Sequence, residues 1–296
     1  MSSHTPAAQP ASGLAIIPAL LGMVRFEHTV FALPFAFAGA LMATNAVPAW
    51  STLGWILLAM VGARSLAMAL NRIIDRTLDA ANPRTAGRHL PAGRLTTMQV
   101  WVFAGISLGA LVGAVSQLPS LTWWLWPVPV ALFVVYPYTK RVTWACHLVL
   151  GLAIGIAPIG GWIAVTGAFA LAPVLLWAAV AAWIAGFDVI YALLDVDHDR
   201  QAGIRSIPAR FGEARAVRAA AALHVLALVL LAAAGIAASV SWPYYVGVAA
   251  CGVILLWEHM TVRPGDEARI QAAFGTANGV MSLVFLAGVI GEVAVA

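Results

Sequence analysis

Apolar runs of about 20 residues recur along this whole chain, and that is the length a helix needs to cross the hydrocarbon core of a bilayer. Nine can be counted: 26–45, 51–73, 97–117, 121–138, 144–166, 170–193, 215–239, 242–261 and 274–294. Lipid offers no partner to a backbone N–H or C=O, so such runs become helices rather than open strands. The expected fold class is an all-α membrane protein, a bundle of nine transmembrane helices. Composition supports this. The 296 residues are 62% hydrophobic and only 9% charged, whereas a soluble domain is roughly a quarter charged. Pro34, Pro127, Pro129 and Pro158 lie inside apolar segments and predict kinks. Residues 1–13 are small and polar, lack the positive start of a signal peptide, and read as a disordered tail. That leaves 14–296 as one transmembrane domain. Cys146 and Cys251 sit far apart in apolar segments and read as packing residues rather than a disulfide or zinc site.

The sixteen Lys and Arg residues are distributed unevenly. Five lie between Arg72 and Arg94, and five between Arg200 and Arg218. Lys140 and Arg141 follow the fourth segment, Arg263 and Arg269 follow the eighth, and Arg25 precedes the first. The connections near 46–50, 117–120, 167–169 and 240–242 carry none. By the positive-inside rule every basic connection faces the cytoplasm, so the N-terminus is cytoplasmic and the C-terminus lies on the far side. Nine spans satisfy that alternation; eight or ten break it.

The acidic residues gather on the same face. The second segment ends Asn71-Arg-Ile-Ile-Asp75-Arg-Thr-Leu-Asp79, and the sixth ends Tyr191-Ala-Leu-Leu-Asp195-Val-Asp197-His-Asp199. Asn71 and Tyr191, Asp75 and Asp195, and Asp79 and Asp199 are each 120 residues apart. This pattern predicts an internal repeat of helix–loop units. Residues at i and i+4 share a helical face, so each acid pair points one way. Two like charges at the edge of a bilayer repel unless a cation lies between them. Mg²⁺ takes oxygen ligands and commonly keeps one or two carboxylates plus substrate phosphates, so Asp75, Asp79, Asp195 and Asp199 are the candidate metal ligands. Arg84 and Arg88 follow the first cluster and Arg205 the second, and guanidinium forks suit phosphate oxygens. A merely solvated, salt-bridged face explains one such cluster, but two at equivalent helix ends argue for a site.

Arg64 lies inside the second segment, two turns deeper than Asn71, where a charge marks function by default. It reads either as a structural partner or as a residue binding an acidic group of a substrate. Asp188 occupies a similar depth on the sixth segment, so the two are expected to pair within the bundle. Lys140 and Arg141 read as topogenic charge or as a further anion contact. Glu27, His28, Glu258 and His259 carry no assigned role, and most of the twelve tryptophans read as packing or interfacial anchors.

These residues resemble the UbiA-type intramembrane prenyltransferases. Asn71-x-x-x-Asp75-x-x-x-Asp79 with Arg84-Thr-Ala-x-Arg88 and Leu90-Pro-Ala-Gly93 is similar to the family's first signature. Asp188-x-x-Tyr191-x-x-x-Asp195-x-x-x-Asp199 with Gly203-Ile-x-Ser206 is similar to the second, and Tyr136-Pro-Tyr138-Thr-Lys140-Arg141 to the fourth-helix segment. The resemblance implies a nine-helix bundle around a central cavity in a bacterial inner membrane. It implies a polyprenyl diphosphate donor and Mg²⁺ as cofactor. Asp75, Asp79, Asp195, Asp199, Asn71 and Tyr191 would be catalytic; Arg64, Arg84, Arg88, Lys140, Arg141, Asp188 and Arg205 would bind substrate. Arg64 falls where aromatic-acid members carry an arginine, which implies 4-hydroxybenzoate as acceptor in ubiquinone synthesis. The stretch Phe26–Phe35 departs from that pattern, and with Asn71-Arg-Ile-Ile-Asp75 it looks more like relatives that prenylate a dihydroxynaphthoate in the futalosine route to menaquinone. The partners implied are these substrates and the bilayer, with no nucleic acid. A secondary transporter, the competing class, would place its charges near the midplane rather than at one face.

Overall fold

The computed structural model describes residues 10–24 and 32–296. Among them it contains helices and turns and no strand. In chain order the helices are α1 (Ile16–Val24), α2 (Leu33–Met42), α3 (Trp50–Ile74), α4 (Arg76–Ala81), α5 (Thr97–Val115), α6 (Ser120–Leu125), α7 (Pro127–Thr139) and α8 (Cys146–Gly155). There follow α9 (Ala157–Thr166), α10 (Leu171–Tyr191), α11 (Val196–Ala202), α12 (Ile207–Phe211), α13 (Glu213–Ala238), α14 (Trp242–Thr261), α15 (Glu267–Ala272) and α16 (Asn278–Val295).

Among the described residues, seven helical stretches are long and apolar enough to cross a membrane: 50–74, 97–115, 120–139, 146–166, 171–202, 213–238 and 267–295. The second to eighth expected segments match helices or helix pairs to within two residues at each end. α14 has 20 residues but mixes tryptophan, tyrosine, Glu258 and His259 into its apolar run, and it is not among the seven. The first expected segment falls partly on residues 25–31, outside the described residues, and the described α2 has only 10 residues. Of the expected tail, residues 1–9 also lie outside. Ala11 is held by its N–H to the Arg94 carbonyl at 2.9 Å and by the Gln99 side chain at 2.9 Å. α1, which the apolar-run count passed over, packs against α3.

Proline punctuates two spans. Trp126 separates α6 from α7 just before Pro127, and Ile156 separates α8 from α9, where Pro158 is the second residue. A proline has no N–H to give the preceding turn, so it begins a helix half more readily than it continues one.

α10 is the central element: 14 of its 21 residues are buried, and it packs against α8, α9 and α13. α3 pairs with α5, α14 with α16, and α2 with α9 and α16. Phe35 of α2 joins these groups, its ring 5.1 Å from Trp183 of α10 and 5.1 Å from Phe285 of α16. α2 reaches this depth because its backbone touches that of α9. A Cβ on Gly39 would collide with the Pro158 carbonyl, and one on Gly161 with the Ala36 carbonyl. Small residues are how membrane helices approach this closely. The short helices α4, α11, α12 and α15 all lie at the end of the bundle that carries the basic connections, so the structured polar elements sit together there.

Candidate active site

Both acid clusters sit at a break in a helix. α3 stops at Ile74, and Asp75 takes φ −92°, ψ 6° before α4 begins. α10 passes into a 3₁₀ turn, Ala192–Asp195, and Asp195 takes φ −116°, ψ 8° before α11. Both values fall near the sparsely populated bridge between the α and β regions, a conformation common at active sites. The regular helix expected through each cluster is therefore interrupted. The Asp79 N–H still reaches the Asp75 carbonyl at 2.8 Å, so the first pair keeps one turn of spacing.

Basic side chains from separate elements converge on these acids. Asp75 is 1% exposed and takes hydrogen bonds from Asn71 Nδ2 at 2.9 Å and Lys140 Nζ at 2.6 Å, with Arg141 Nη2 at 3.3 Å. Asp79 accepts from Arg88 Nη1 at 2.6 Å, and Arg72 Nη1 lies 3.7 Å from its other oxygen. Asp195 accepts from Asn82 Nδ2 at 2.8 Å and receives both arms of the Arg84 fork, through Nε at 2.9 Å and through Nη2. Arg84 Nη1 also donates to the Tyr191 hydroxyl at 2.9 Å. Burial of the Arg84 guanidinium opposes its charge, but the hydrogen bonds to Asp195 and Tyr191 outweigh it and hold its pKa above the ordinary arginine value. Asn82 and Arg84 belong to the first cluster's loop and Asp195 to the second cluster, so these bonds tie the two clusters together.

Asp199 is held from its own loop. Gly203 ends α11 with φ +69°, a left-handed conformation that costs glycine little. The chain then folds back, and Ser206 Oγ donates to Asp199 Oδ2 at 2.8 Å. Arg205 points elsewhere, its side chain on the Val142 carbonyl at 2.5 Å and its N–H on the Lys140 carbonyl at 2.7 Å.

The clusters form the mouth of a cavity of about 890 Å³. Asn71, Arg84, Arg88, Lys140 and Tyr191 line it together with the four aspartates; Arg141 and Arg205 are not among its lining residues. Deeper in, the wall is mostly apolar and runs as far as Ile56, Val115 and Phe169. Between mouth and apolar wall lies a second polar layer of Arg64, Tyr136, His147 and Asp188. Arg64 makes no ion pair with a described residue. The expected Arg64–Asp188 pair does not form, because Asp188 is engaged by His147 Nδ1 at 2.6 Å. The reason is packing: glycines at 151 and 155 let α8 lie against the α10 backbone, which carries His147 to Asp188.

Residues 32–287 match the UbiA prenyltransferase family. This chain belongs to that family. It is a prenyltransferase, and the resemblance read from the two aspartate signatures holds across most of its length. It is 30% identical over 294 residues to a 4-hydroxybenzoate octaprenyltransferase from Chromohalobacter salexigens, covering 98% of this chain and 97% of that one. The apo structure of a UbiA homologue from Aeropyrum pernix K1 superposes with a TM-score of 0.82 at 32% identity, over 90% of this chain and 98% of that one. A UbiA homologue from Archaeoglobus fulgidus, solved bound to GPP and Mg²⁺, shares the fold with a TM-score of 0.70 at 15% identity, over 93% of this chain and 99% of that one.

The donor set of this UbiA protein fits a hard divalent cation. All four aspartates of the motifs line the mouth, and the buried Oδ2 of Asp79 has no hydrogen-bond partner. Among the described residues no group of three or more acidic, histidine or cysteine side chains is gathered closely enough to hold a metal ion by itself. A cation that takes few carboxylates and completes its shell with water and substrate phosphate does not need such a group. Three site residues had no role assigned from the sequence. Asn82 and Ser206 lay in plain view beside the motifs, and each contacts a motif aspartate. His147 offered one signal, a lone ionisable residue near the start of an apolar run.

Proposed function

We propose that this enzyme moves a polyprenyl chain from a polyprenyl diphosphate to the ring of 4-hydroxybenzoate, with Mg²⁺ held at the cavity mouth. One observation carries the reading: a single cavity has four aspartates and their basic partners at its mouth and a mostly apolar wall beyond. A prenyl diphosphate is an amphiphile with the same division. When bound by Asp75, Asp79, Asp195 and Asp199, Mg²⁺ supplies positive charge where the leaving diphosphate gathers negative charge. Arg84, Arg88 and Lys140 present cations to the phosphate oxygens. Arg141 and Arg205 brace the surrounding loops through the Ile74 and Val142 carbonyls. Asn71 holds Asp75, and the Tyr191 ring lies 5.0 Å beneath the Arg84 guanidinium.

The C1–O bond of the donor breaks with its electron pair leaving on the diphosphate. The allylic carbon left behind forms a C–C bond with the electron-rich ring, which then loses its proton. Apolar walls keep water from capturing the allylic carbon. Arg64, unpaired among the described residues and set deeper than the mouth, binds the acceptor's carboxylate. The similarity to a 4-hydroxybenzoate octaprenyltransferase over 98% of this chain supports that acceptor. The dihydroxynaphthoate alternative drew on residues 26–35, of which 26–31 lie outside the described residues, and on Asn71-Arg-Ile-Ile-Asp75.

For topology we infer nine spans, counting α14 and the segment that contains α2, with the basic end and active-site mouth in the cytoplasm of a bacterial inner membrane. The shared backbone conformation of Asp75 and Asp195 supports the 120-residue repeat.

The test is transfer by purified protein in lipid nanodiscs with Mg²⁺, a labelled prenyl diphosphate and a panel of acceptors. We expect a lipid-extractable product from 4-hydroxybenzoate that chelation abolishes and Mg²⁺ restores. Product from a dihydroxynaphthoate alone would transfer the assignment to that acceptor, and product undiminished by chelation would remove the metal.

A further inference from the structure

His147 is 3% exposed and belongs to an otherwise apolar stretch of α8. Its two ring nitrogens face different partners. Nδ1 lies 2.6 Å from Asp188 Oδ2, and the Ile207 backbone N–H reaches Nε2 at 3.3 Å. A backbone N–H can only donate, so Nε2 accepts; Nδ1 therefore carries the proton and donates it to Asp188. The ring is fixed on both sides.

Each partner leads to a different part of the cavity. Asp188 is only partly covered, with its side chain 26% exposed, and it lines the deeper polar layer with Arg64. Ile207 follows Ser206, whose Oγ donates to Asp199 at the mouth. The same Oγ caps α12 by accepting the Ala209 N–H at 3.4 Å. The path Asp188–His147–Ile207–Ser206–Asp199 is therefore a continuous chain of hydrogen bonds and one peptide link. It connects α10, α8 and the loop before α12.

We propose that His147 is a positioning residue that keeps the acceptor layer and the metal-side acid in register, orienting Asp188 directly and Asp199 through Ile207 and Ser206. This builds on the transfer function proposed above. Groups that orient a ligand from behind typically matter about 10–100-fold in metal affinity or activity. A residue that only fills space would affect folding without distinguishing the two ends of the path.

Three variants and two readouts test this. His147→Leu keeps an apolar volume in an apolar helix, His147→Gln can still donate to Asp188 and accept from Ile207, and Ser206→Ala cuts the last link together with the cap on α12 while leaving His147 and Asp188 in place. Mn²⁺ affinity of the purified protein without substrate is read by electron paramagnetic resonance. His147→Leu and Ser206→Ala are expected to weaken it by about tenfold, while His147→Gln stays near the wild type. In steady-state transfer, His147→Leu raises KM for the acceptor, Ser206→Ala leaves it unchanged, and His147→Gln restores it. Equal Mn²⁺ affinity in the wild type and His147→Leu overturns the proposal, as does a His147→Gln protein as impaired as His147→Leu. Should His147→Leu fail to fold, Ser206→Ala and His147→Gln still decide: unchanged Mn²⁺ affinity in the first or loss of affinity in the second overturns it. A wild type that leaves 4-hydroxybenzoate unprenylated defeats the acceptor assignment, while the Mn²⁺ measurement still decides on His147.

Discussion

Asp75 and Asp195 leave their helices with nearly the same backbone conformation, φ −92°, ψ 6° and φ −116°, ψ 8°. Each follows a long helix and precedes a short one that carries the second acid of its pair. The break lets α4 and α11 turn across the mouth, so Asp79 and Asp199 are buried at 6% and 7% exposure despite lying at the basic end of the bundle. Gathering four carboxylates, three of them buried, is costly unless cations accompany them. Five basic partners, Arg72, Arg84, Arg88, Lys140 and Arg141, supply that charge here; the proposed metal would add positive charge when the diphosphate brings its own negative charge.

Removing one charge from either break should therefore disable the enzyme without unfolding it. Asp75→Asn and Asp195→Asn preserve shape but remove the charge and replace one accepting oxygen with an amide nitrogen that only donates. A fall in kcat of about 100-fold or more is expected for each, corresponding to roughly 3 kcal/mol of transition-state stabilisation. The check is single-turnover transfer at saturating Mg²⁺ alongside thermal unfolding. Near-normal kcat in either variant would remove that aspartate from the metal site.

Lipid imposes length and apolarity together, which made seven spans legible, and segments such as 51–73 and 97–117 fall within two residues of their helices. The two clusters were legible because Asp75 and Asp195 recur at one spacing beside basic loops. Side-chain partners were harder to read. Matching depth suggested that Arg64 would face Asp188, yet which helix faces α10 depends on Gly151 and Gly155, and no spacing rule within one segment reveals that. Arg205 looked like a phosphate ligand by analogy with Arg84. The turn at Gly203 instead aims it at the Val142 carbonyl, and Ser206 takes the place beside Asp199.

The Arg84 fork supplies the second prediction. It spans both oxygens of Asp195 and reaches Tyr191 with its remaining nitrogen, an arrangement that a lysine ammonium cannot reproduce. Arg84→Lys keeps the charge and should still lower kcat/KM for the prenyl diphosphate by about 10-fold or more, since hydrogen bonds to charged groups contribute roughly 1.5–3 kcal/mol. Steady-state kinetics with the donor varied will measure it. A lysine variant as active as the wild type would mean that charge alone suffices there.

Stability depends on the α2–α9 contact. Any side chain on Gly39 meets the Pro158 carbonyl, and backbone cannot rotate away as a side chain can. Gly39→Val should destabilise the protein by at least about 1–3 kcal/mol and lower its unfolding midpoint in detergent. Gly109→Ala, at a site in α5 where nothing lies within 4 Å, is the matched control and should leave the midpoint unchanged or raised. Equal midpoints for the two variants would show that α2 and α9 can separate without loss.

Arg64 separates acceptor binding from donor binding. It lines the cavity deeper than the mouth and pairs with no described acid, since Asp188 is engaged by His147. A guanidinium set in an apolar bundle needs an anion, and a carboxylate accepts its fork in two parallel hydrogen bonds. Arg64→Ala should raise KM for 4-hydroxybenzoate by about 10-fold or more, the loss of a charged hydrogen-bonded pair, and leave KM for the prenyl diphosphate within about twofold, a change worth under 1 kcal/mol. Varying each substrate in turn against the other at saturation distinguishes the two. An acceptor lacking the carboxylate supplies the internal control: it should bind the wild type and Arg64→Ala alike. If the variant discriminates between the two acceptors as the wild type does, the carboxylate is bound elsewhere and Arg64 serves the fold.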